Sequence, residues 1–264
     1  MRDGHSNSLN WQTDDIPVSA VHLAKTVVAK IVARDPVLFS PPLDSIVQQL
    51  TNAVSADNPN QLEALKPDLK RARISPAMLA DIYIPEAARR LGVYWEDDRV
   101  TFADVTIGVA RLQAILRDIS SGWAADAKTD GGLGGAVLLL LAEKEHHTLG
   151  PLVLTGQLRR RGVSVCLQLA SSDSKWKYLL HERHFDGVIV SVGWEGKLSA
   201  AQSLVKSLKQ MTKSKLPIAV GGAVLTRNSA IVECKGADIV TNDLDKVLKV
   251  FGLTSDSAHT VVSA

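Results

Sequence analysis

The residues with the clearest chemical potential lie in the segment AVLLLLAEKEHHTLG, residues 136–150, where an apolar run ends in charged and histidine residues. Two of the seven histidines in the chain, His146 and His147, are adjacent there. Glu145, His147 and Gly150 form the pattern acid-x-His-x-x-Gly between a predicted buried strand and a predicted helix. His147 can therefore ligate a group bound at the strand end, or it can cap the following helix. His146 is expected to face solvent, with the ligand role as its alternative.

Two other loops follow predicted strands and consist of small and polar residues. They are SVGWEG at 191–196 and GGAVLT at 221–226. Doubly wound sheets bind ligands outside the carboxyl ends of their strands, near the point where the strand order reverses. A glycine pair alone is an ordinary turn, so these loops are informative only together with the histidine loop. We expect the three loops to form one site.

The elements that must position these loops alternate between strand and helix after residue 135. Continuous rather than alternating hydrophobicity in the apolar runs predicts parallel strands that are covered on both faces. Five such strands in about 120 residues predict a flavodoxin-like (Rossmann-type), doubly wound parallel sheet at residues 136–253. The predicted strands are residues 136–142, 163–169, 187–192, 217–222 and 237–241.

The first half of the chain has helical periodicity instead. Helices predicted at 18–35, 41–56, 75–92 (with a kink at Pro85) and 101–123 form an antiparallel bundle within residues 17–125. A glycine-rich linker at 126–135 joins this bundle to the sheet. Residues 1–16 are predicted to be disordered, and residues 254–264 to be a flexible tail.

Composition excludes several classes of protein. The formal net charge of +2 in 264 residues gives no reason to expect a nucleic acid or a membrane surface as partner. The longest apolar run is far shorter than a membrane span, and the N-terminus lacks a signal-peptide core, so we expect a cytoplasmic protein. Cys166 and Cys234 are predicted to be buried free thiols. His181 and His184 form HxxH, which we interpret as surface residues rather than a zinc site.

The three loops together resemble the signature of cobalamin-binding domains. Glu145, His147 and Gly150 are followed after 40 residues by Ser191 and its neighbour Gly193, and then, after 27 more residues, by the glycine pair that begins at Gly221. The resemblance implies a base-off, His-on cobalamin, either adenosylcobalamin or hydroxocobalamin, with His147 as the lower cobalt ligand. In that family aspartate is usual where Glu145 stands.

The resemblance also implies roles for the neighbours of His147. A carboxylate that accepts from the second ring nitrogen fixes the tautomer, which is the role expected of Glu145. Gly150 would let backbone approach a flat macrocycle, and the glycine pair would do the same for the nucleotide tail. The candidate cofactor contacts in the sheet half are Glu145, His147, Thr148, Leu149, Gly150, Ser191, Val192, Gly193 (where leucine is commoner), Gly221 and Gly222.

The helical half resembles the cap over the upper corrin face in corrinoid carriers and light-responsive cobalamin regulators. Trp95 matches a tryptophan of those regulators, with a core aromatic as its alternative interpretation. Asp104 and Val105 stand where the regulators have Glu-His, so the second histidine is absent. Phe102 and Val105 are further candidate contacts of the cofactor, although Phe102 is expected in the bundle core.

The segments WEDDRVTFADVTIGVARLQ and AEKEHHTLGPLVLTGQLRRRG look most like the AerR/PpaA antirepressors of photosynthetic bacteria. That resemblance implies a cobalamin-binding, light-responsive regulator that binds a CrtJ/PpsR-type repressor protein, with direct nucleic-acid contact not expected. A corrinoid methyl carrier that works with methyltransferases is the alternative. No nucleophile–base pair or acid pair occurs elsewhere, so we do not expect an autonomous enzyme.

Overall fold

The described part of the structure, a computed structural model, covers residues 42–254 without 57, 59, 122, 124–132, 143–144, 171–174 and 228–232. The predicted helix at 18–35, the predicted disorder of residues 1–16 and the predicted tail beyond residue 254 lie outside this part. Most of the predicted linker also lies outside it. The described residues from Leu43 onward belong to one compact unit.

Helices occupy the described chain up to residue 120. They are α1 (Asp44–Ser55), α2 (Asn60–Arg71), α3 (Pro76–Met78, Leu79–Tyr83 and Ile84–Glu96 in succession) and α4 (Phe102–Ser120). Helix α2 was not predicted, because Pro67 lies inside it and the helix is polar apart from a leucine stripe. Leu65 of this stripe is buried in the bundle core, so tertiary packing outweighs the proline.

Pro85 has a local structural consequence in α3. The turn Leu79–Tyr83 is π-helical, and the α-helix resumes at Ile84. Proline has no N–H to donate to the carbonyl of Asp81, four residues earlier, and its ring would clash with that carbonyl. A wider π turn relieves the clash and lets the helix continue.

The second half folds as a parallel sheet. Its strands are β1 (Ala136–Leu141), β2 (Ser164–Leu169), β3 (Gly187–Ser191), β4 (Ile218–Gly221) and β5 (Ile239–Val240). The order β2-β1-β3-β4-β5 is the flavodoxin-like order, which confirms the predicted fold class. The connecting helices are α5 (Leu149–Arg160), α6 (Lys175–Glu182), α7 (Leu198–Met211, after a 3₁₀ turn at Glu195–Lys197), α8 (Val224–Arg227) and α9 (Leu244–Val250).

Each face of the sheet has its own core, and the bundle has a third. Helix α5 is shared between two of them. Leu158 packs in the core between the sheet and its covering helices, whereas Val153 packs in the bundle core. The position of α5 therefore determines how the bundle meets the sheet.

The two cysteines differ in environment. Cys234 is a buried free thiol, and burial raises its pKa. Cys166 is free but only half-buried, because β2 is an edge strand of the sheet, so the prediction that it is buried was wrong. None of the described helices is both long enough and apolar enough to cross a membrane.

Candidate functional site

The carboxyl ends of β1, β3 and β4 lie side by side. Ser191, the last residue of β3, pairs in register with Leu141 of β1 and with Gly221 of β4. The three loops predicted to form a site therefore leave adjacent strands at the same edge. Ser191 is buried there.

Glu145 lies in the loop that follows β1 at this edge, and its carboxylate is buried. One oxygen, Oε1, accepts from the backbone N–H of His147 at 2.9 Å and lies 2.6 Å from its ring Nδ1. The other oxygen, Oε2, accepts from the backbone N–H of Gly193 in the neighbouring loop at 2.8 Å. Glu145 thus joins the β1 loop to the β3 loop and fixes the histidine ring.

The electrostatics of Glu145 favour its charged form. Burial alone raises the pKa of a carboxyl group, because it removes the charge from water. Hydrogen bonds from the backbone of His147 and Gly193 and from the His147 ring outweigh burial and hold the pKa of Glu145 below its usual value. A charged carboxylate beside Nδ1 favours the tautomer that has the proton on Nδ1, which leaves Nε2 free to donate its lone pair.

His147 is oriented outward despite this buried partner. Its side chain is 64% exposed, whereas that of Glu145 is 1% exposed. The imidazole therefore stands at the surface with Nδ1 held from below and Nε2 as its outer nitrogen. This is the arrangement in which second-shell carboxylates orient metal-ligating histidines.

Gly193 is required by the position of the histidine ring. A Cβ at residue 193 would lie 2.7 Å from Nδ1 of His147 and 2.9 Å from Oε1 of Glu145. A leucine, which is commoner here in cobalamin-binding domains, does not fit this arrangement. At Gly150, by contrast, a Cβ would meet nothing within 4 Å, so open space lies in front of the first turn of α5.

The glycine pair at 221–222 is explained by packing within the chain. A Cβ on Gly222, whose φ is +124°, would lie 2.3 Å from the carbonyl oxygen of Val192, and one on Gly221 would lie 2.7 Å from that of Thr241. Asn242 accepts from the N–H of Gly222 at 2.7 Å and donates to its carbonyl at 3.1 Å. Sequence reasoning missed Asn242. The role of the glycines toward a cofactor tail stays a prediction.

The remaining candidates in the sheet half differ in what their side chains do. Thr148 accepts a hydrogen bond on its hydroxyl from Nε2 of Gln113 in α4 at 2.9 Å, a contact that the sequence did not predict. The side chain of Leu149 packs against the bundle core. Val192 is fully buried in the sheet core, so only its backbone is available at the edge.

Trp95 and Phe102 lie next to each other at the end of the bundle, with ring centroids 6.1 Å apart. They are 49% and 69% exposed, so Trp95 is not a core aromatic and the expectation of Phe102 in the core was wrong. Phe102 is the first residue of α4 and directly follows the capping residue Thr101. Val105 is half-buried against the bundle core.

Asp104 takes part in the capping of α4 at its first turn. The Thr101 hydroxyl accepts from the N–H of Asp104, and the Asp104 carboxylate accepts from the N–H of Thr101 at 2.8 Å, which is a capping box. The side-chain hydrogen bond from Thr101 holds the pKa of Asp104 below its usual value. Asp104 therefore stabilises the start of α4, at the position where the light-responsive cobalamin regulators have glutamate.

The other histidine pair has no such arrangement. His181 and His184 are exposed, and His184 lies 3.6 Å from Asp186. Among the described residues, no three His, Cys, Asp or Glu side chains form a group able to hold a metal ion. A single axial histidine does not need such a group.

Comparison with known proteins gives one clear sequence relative. No family model matches the chain. An uncharacterized 20.5 kDa protein in the bchF–crtJ intergenic region of Rhodobacter capsulatus is 37% identical over 192 residues, which are 73% of this chain and 100% of that protein.

Among solved structures, the monomethylamine corrinoid protein of Methanosarcina barkeri aligns with a TM-score of 0.59 at 15% identity, over 78% of this chain and 97% of that one. This likeness establishes a shared fold. A cobalamin-binding protein from Desulfitobacterium hafniense is 14% identical over 77% of this chain and 96% of that one, with a TM-score of 0.38, too low to argue from.

Proposed function

The chain belongs to the family of the 20.5 kDa Rhodobacter capsulatus protein, and we propose that it is a cobalamin-binding, light-responsive regulator that acts by binding a repressor protein. The observation that supports this most is the pair of Glu145 and His147 at the carboxyl edge of a flavodoxin-like sheet. The corrinoid protein with the same fold supports the cofactor class.

The residues present fit a corrin. Cobalt in a corrin is filled equatorially by four nitrogens, so a protein contributes only an axial donor, and a neutral imidazole suits that position. His147 offers one outward nitrogen on an exposed ring, and the open space at Gly150 leaves room for a flat group. His146 is exposed as well, but the carboxylate of Glu145 binds the ring of His147.

Each residue around the histidine has a defined task in this proposal. Glu145 keeps the proton on Nδ1 and increases the donor strength of Nε2. Gly193 leaves room for the ring and holds the second carboxylate oxygen through its N–H. Gln113 ties the loop to the bundle through Thr148, so the cap and the lower ligand share a contact.

The bundle end supplies the apolar surface for the other side of the cofactor. Trp95 and Phe102 are exposed large aromatics, and exposed apolar patches on a protein mark binding surfaces. When bound, adenosylcobalamin supplies a cobalt–carbon bond that visible light breaks. Trp95 and Phe102 would then lose apolar contacts, and a tenfold change in partner affinity requires only about 1.4 kcal/mol.

A CrtJ/PpsR-type repressor is the proposed partner. The sequence resembles AerR/PpaA antirepressors, and the Rhodobacter capsulatus relative is a protein of the bchF–crtJ intergenic region. The balanced charge of the chain favours a protein partner over an operator sequence.

A corrinoid methyl carrier is the second candidate. The Methanosarcina barkeri protein with the same fold is a monomethylamine corrinoid protein. The exposed aromatic pair at Trp95 favours the regulator, because methyl carriers tend to leave the upper face open for a partner enzyme.

The decisive experiment loads the purified chain with adenosylcobalamin and compares three samples: apo, dark and illuminated. We expect a base-off, imidazole-ligated spectrum in the dark and a change in it after illumination. Binding to a CrtJ/PpsR-type repressor, measured by interferometry, should differ between dark and lit samples by about tenfold or more.

The variant His147→Ala should remove the difference between dark and lit samples. Equal affinity for the repressor in apo, dark and lit protein contradicts the regulator function. Methyl transfer to a partner methyltransferase then becomes the assay that decides for the carrier.

A further inference from the structure

Helix α5 connects the bundle to the sheet, and its two ends are held differently. Its first turn follows His147, where Gln113 bonds to Thr148. Its last residue, Arg160, lies about 18 Å away along the helix, given a rise of about 1.5 Å per residue. The contacts of Arg160 are outside the proposed cofactor site.

Arg160 binds the bundle through two different interactions. Its Nη2 donates to both carboxylate oxygens of Asp81 in α3, at 2.5 and 2.6 Å. Its guanidinium carbon lies 4.0 Å from the centroid of the Trp123 ring. A Cβ at Gly156 would lie 2.6 Å from this ring, so Gly156 provides the space in which Trp123 sits.

Asp81 is positioned by the backbone irregularity in α3. It lies in the π-helical turn Leu79–Tyr83, which compensates for Pro85. π turns inside α-helices occur frequently at functional sites. The side chains of Asp81 and Arg160 are only 21% and 20% exposed, so water screens their attraction less than it does for a surface pair.

The hydrogen bonding of the Arg160 guanidinium group is incomplete. Nη1 of Arg160 is buried and has no hydrogen-bond partner in the described structure. Partly satisfied buried charges contribute little net stability, but breaking one partner is costly because the other charge remains desolvated. Such a contact favours one geometry over others more than it stabilises the fold.

We propose that the Arg160–Asp81–Trp123 contact is a latch, which keeps the bundle closed on α5 and determines how often it opens over the site at the other end of the helix. Arg160 and Asp81 are positioning residues in this arrangement. The latch consists only of residues of this chain and does not require a bound cofactor. Its role in controlling access to the upper side of a corrin rests on the proposed function.

The test measures opening of the bundle in the apo chain. Val153 of α5 is buried in the bundle core, so a thiol in Val153→Cys is expected to be labelled only when the bundle lifts from α5. Labelling by N-ethylmaleimide is followed residue by residue by mass spectrometry. Buried Cys234 in the sheet core serves as an internal reference for global unfolding.

Two matched control variants distinguish loss of the latch from loss of an ion pair elsewhere in the chain. Asp81→Asn is compared with Glu86→Gln, which removes the carboxylate charge that pairs with exposed Arg89 within α3. Arg160→Lys is compared with Arg161→Lys, since Arg161 pairs with exposed Asp245 at 3.0 Å in the sheet half. The latch predicts labelling at position 153 about tenfold faster or more in the first variant of each pair, with no change at Cys234 and none in the controls.

Labelling that rises equally at positions 153 and 234 overturns the latch, because the residues then act only on overall stability. Unchanged labelling in Asp81→Asn also overturns it. Amide hydrogen exchange of residues 149–160 in the chain without the added cysteine repeats the comparison if Val153→Cys fails to fold.

A second arm adds adenosylcobalamin to the wild type and to Asp81→Asn. Faster association with the variant is expected if the cofactor enters through the opened bundle, and equal rates contradict that role. Failure of the wild type to bind cobalamin contradicts the proposed function, but it leaves the labelling result intact.

Discussion

On the sheet side of the proposed site, the ring of His147 is held by a buried carboxylate that also binds Gly193. On the bundle side, Trp95 and Phe102 contact each other and remain 49% and 69% exposed. The first arrangement is preorganised for one donor geometry, whereas the second exposes large apolar side chains that no buried polar partner among the described residues holds. In the proposed function, the lower side therefore sets the affinity for the cofactor, and the upper side responds to what is bound there.

The largest effect is expected from removing the lower donor. His147→Ala should abolish the imidazole-ligated spectrum and weaken corrin binding more than any other substitution considered below, because Glu145 holds the ring of His147 in position. His146→Ala is the matched control and should have little effect. Equal losses in both variants, measured by titration and absorption spectroscopy, would show that the choice of ligand is wrong.

The second effect concerns the carboxylate. Glu145→Gln removes the charge that fixes the tautomer of His147 and should lower corrin affinity by about 10–100-fold. The amide still fills the buried volume, so the fold is retained and circular dichroism should be unchanged. An affinity within twofold of the wild type would argue against a role for Glu145 in orienting the ring.

A pair of glycine substitutions sharpens the comparison further. Gly193→Ala places a Cβ 2.7 Å from the His147 ring and should destabilise the apo chain by about 1–3 kcal/mol. Gly150→Ala meets nothing within 4 Å and lies in α5, so it should leave apo stability unchanged or raise it by about 0.5–1 kcal/mol. Urea unfolding measures both.

The same two variants separate packing from cofactor contact. If Gly150 faces the corrin, Gly150→Ala should weaken cofactor binding although the apo chain is as stable as the wild type. Undiminished binding in Gly150→Ala would remove Gly150 from the site.

A smaller effect is expected on the bundle side. Trp95→Ala should change apo stability by less than about 1 kcal/mol, because the ring is half exposed and loses mainly its contact with Phe102. Ligation by His147 should persist, while the rate of photolysis changes. An unchanged photolysis rate would contradict a role for Trp95 over the upper face.

The smallest effect is expected at the start of α4. Hydrogen bonds with Thr101 hold the pKa of Asp104 below its usual value, so its contribution to stability is fully present above the usual pKa of an aspartate. It is lost as the pH falls through the lowered pKa of the folded state. The difference in melting temperature between wild type and Asp104→Asn should therefore be largest near pH 6 and shrink steadily as the pH is lowered through the acid range. A difference that does not change with pH would exclude the carboxylate charge as its source.

Much of the sheet could be predicted because its signals are local. The predicted strands at 136–142 and 187–192 match Ala136–Leu141 and Gly187–Ser191, since buried parallel strands are continuous apolar runs. The helical half was harder to predict from the sequence. Helix α2 was missed because Pro67 interrupts its pattern. Phe102 was assigned to the core because it is a large apolar residue, but it lies exposed at the first position of α4.

By itself, the sequence determined the fold class, the approximate bounds of the five strands and the candidate residues Glu145, His147 and Ser191, because strand periodicity and motif spacing are properties of short segments. Only the tertiary structure decided that the Glu145 carboxylate reaches the N–H of Gly193, 48 residues later, and that Arg160 meets Asp81, 79 residues earlier. Those contacts depend on which strands pair and which face of α5 meets the bundle. Neither is encoded in a local pattern, because each requires burial of surfaces that are distant in the chain.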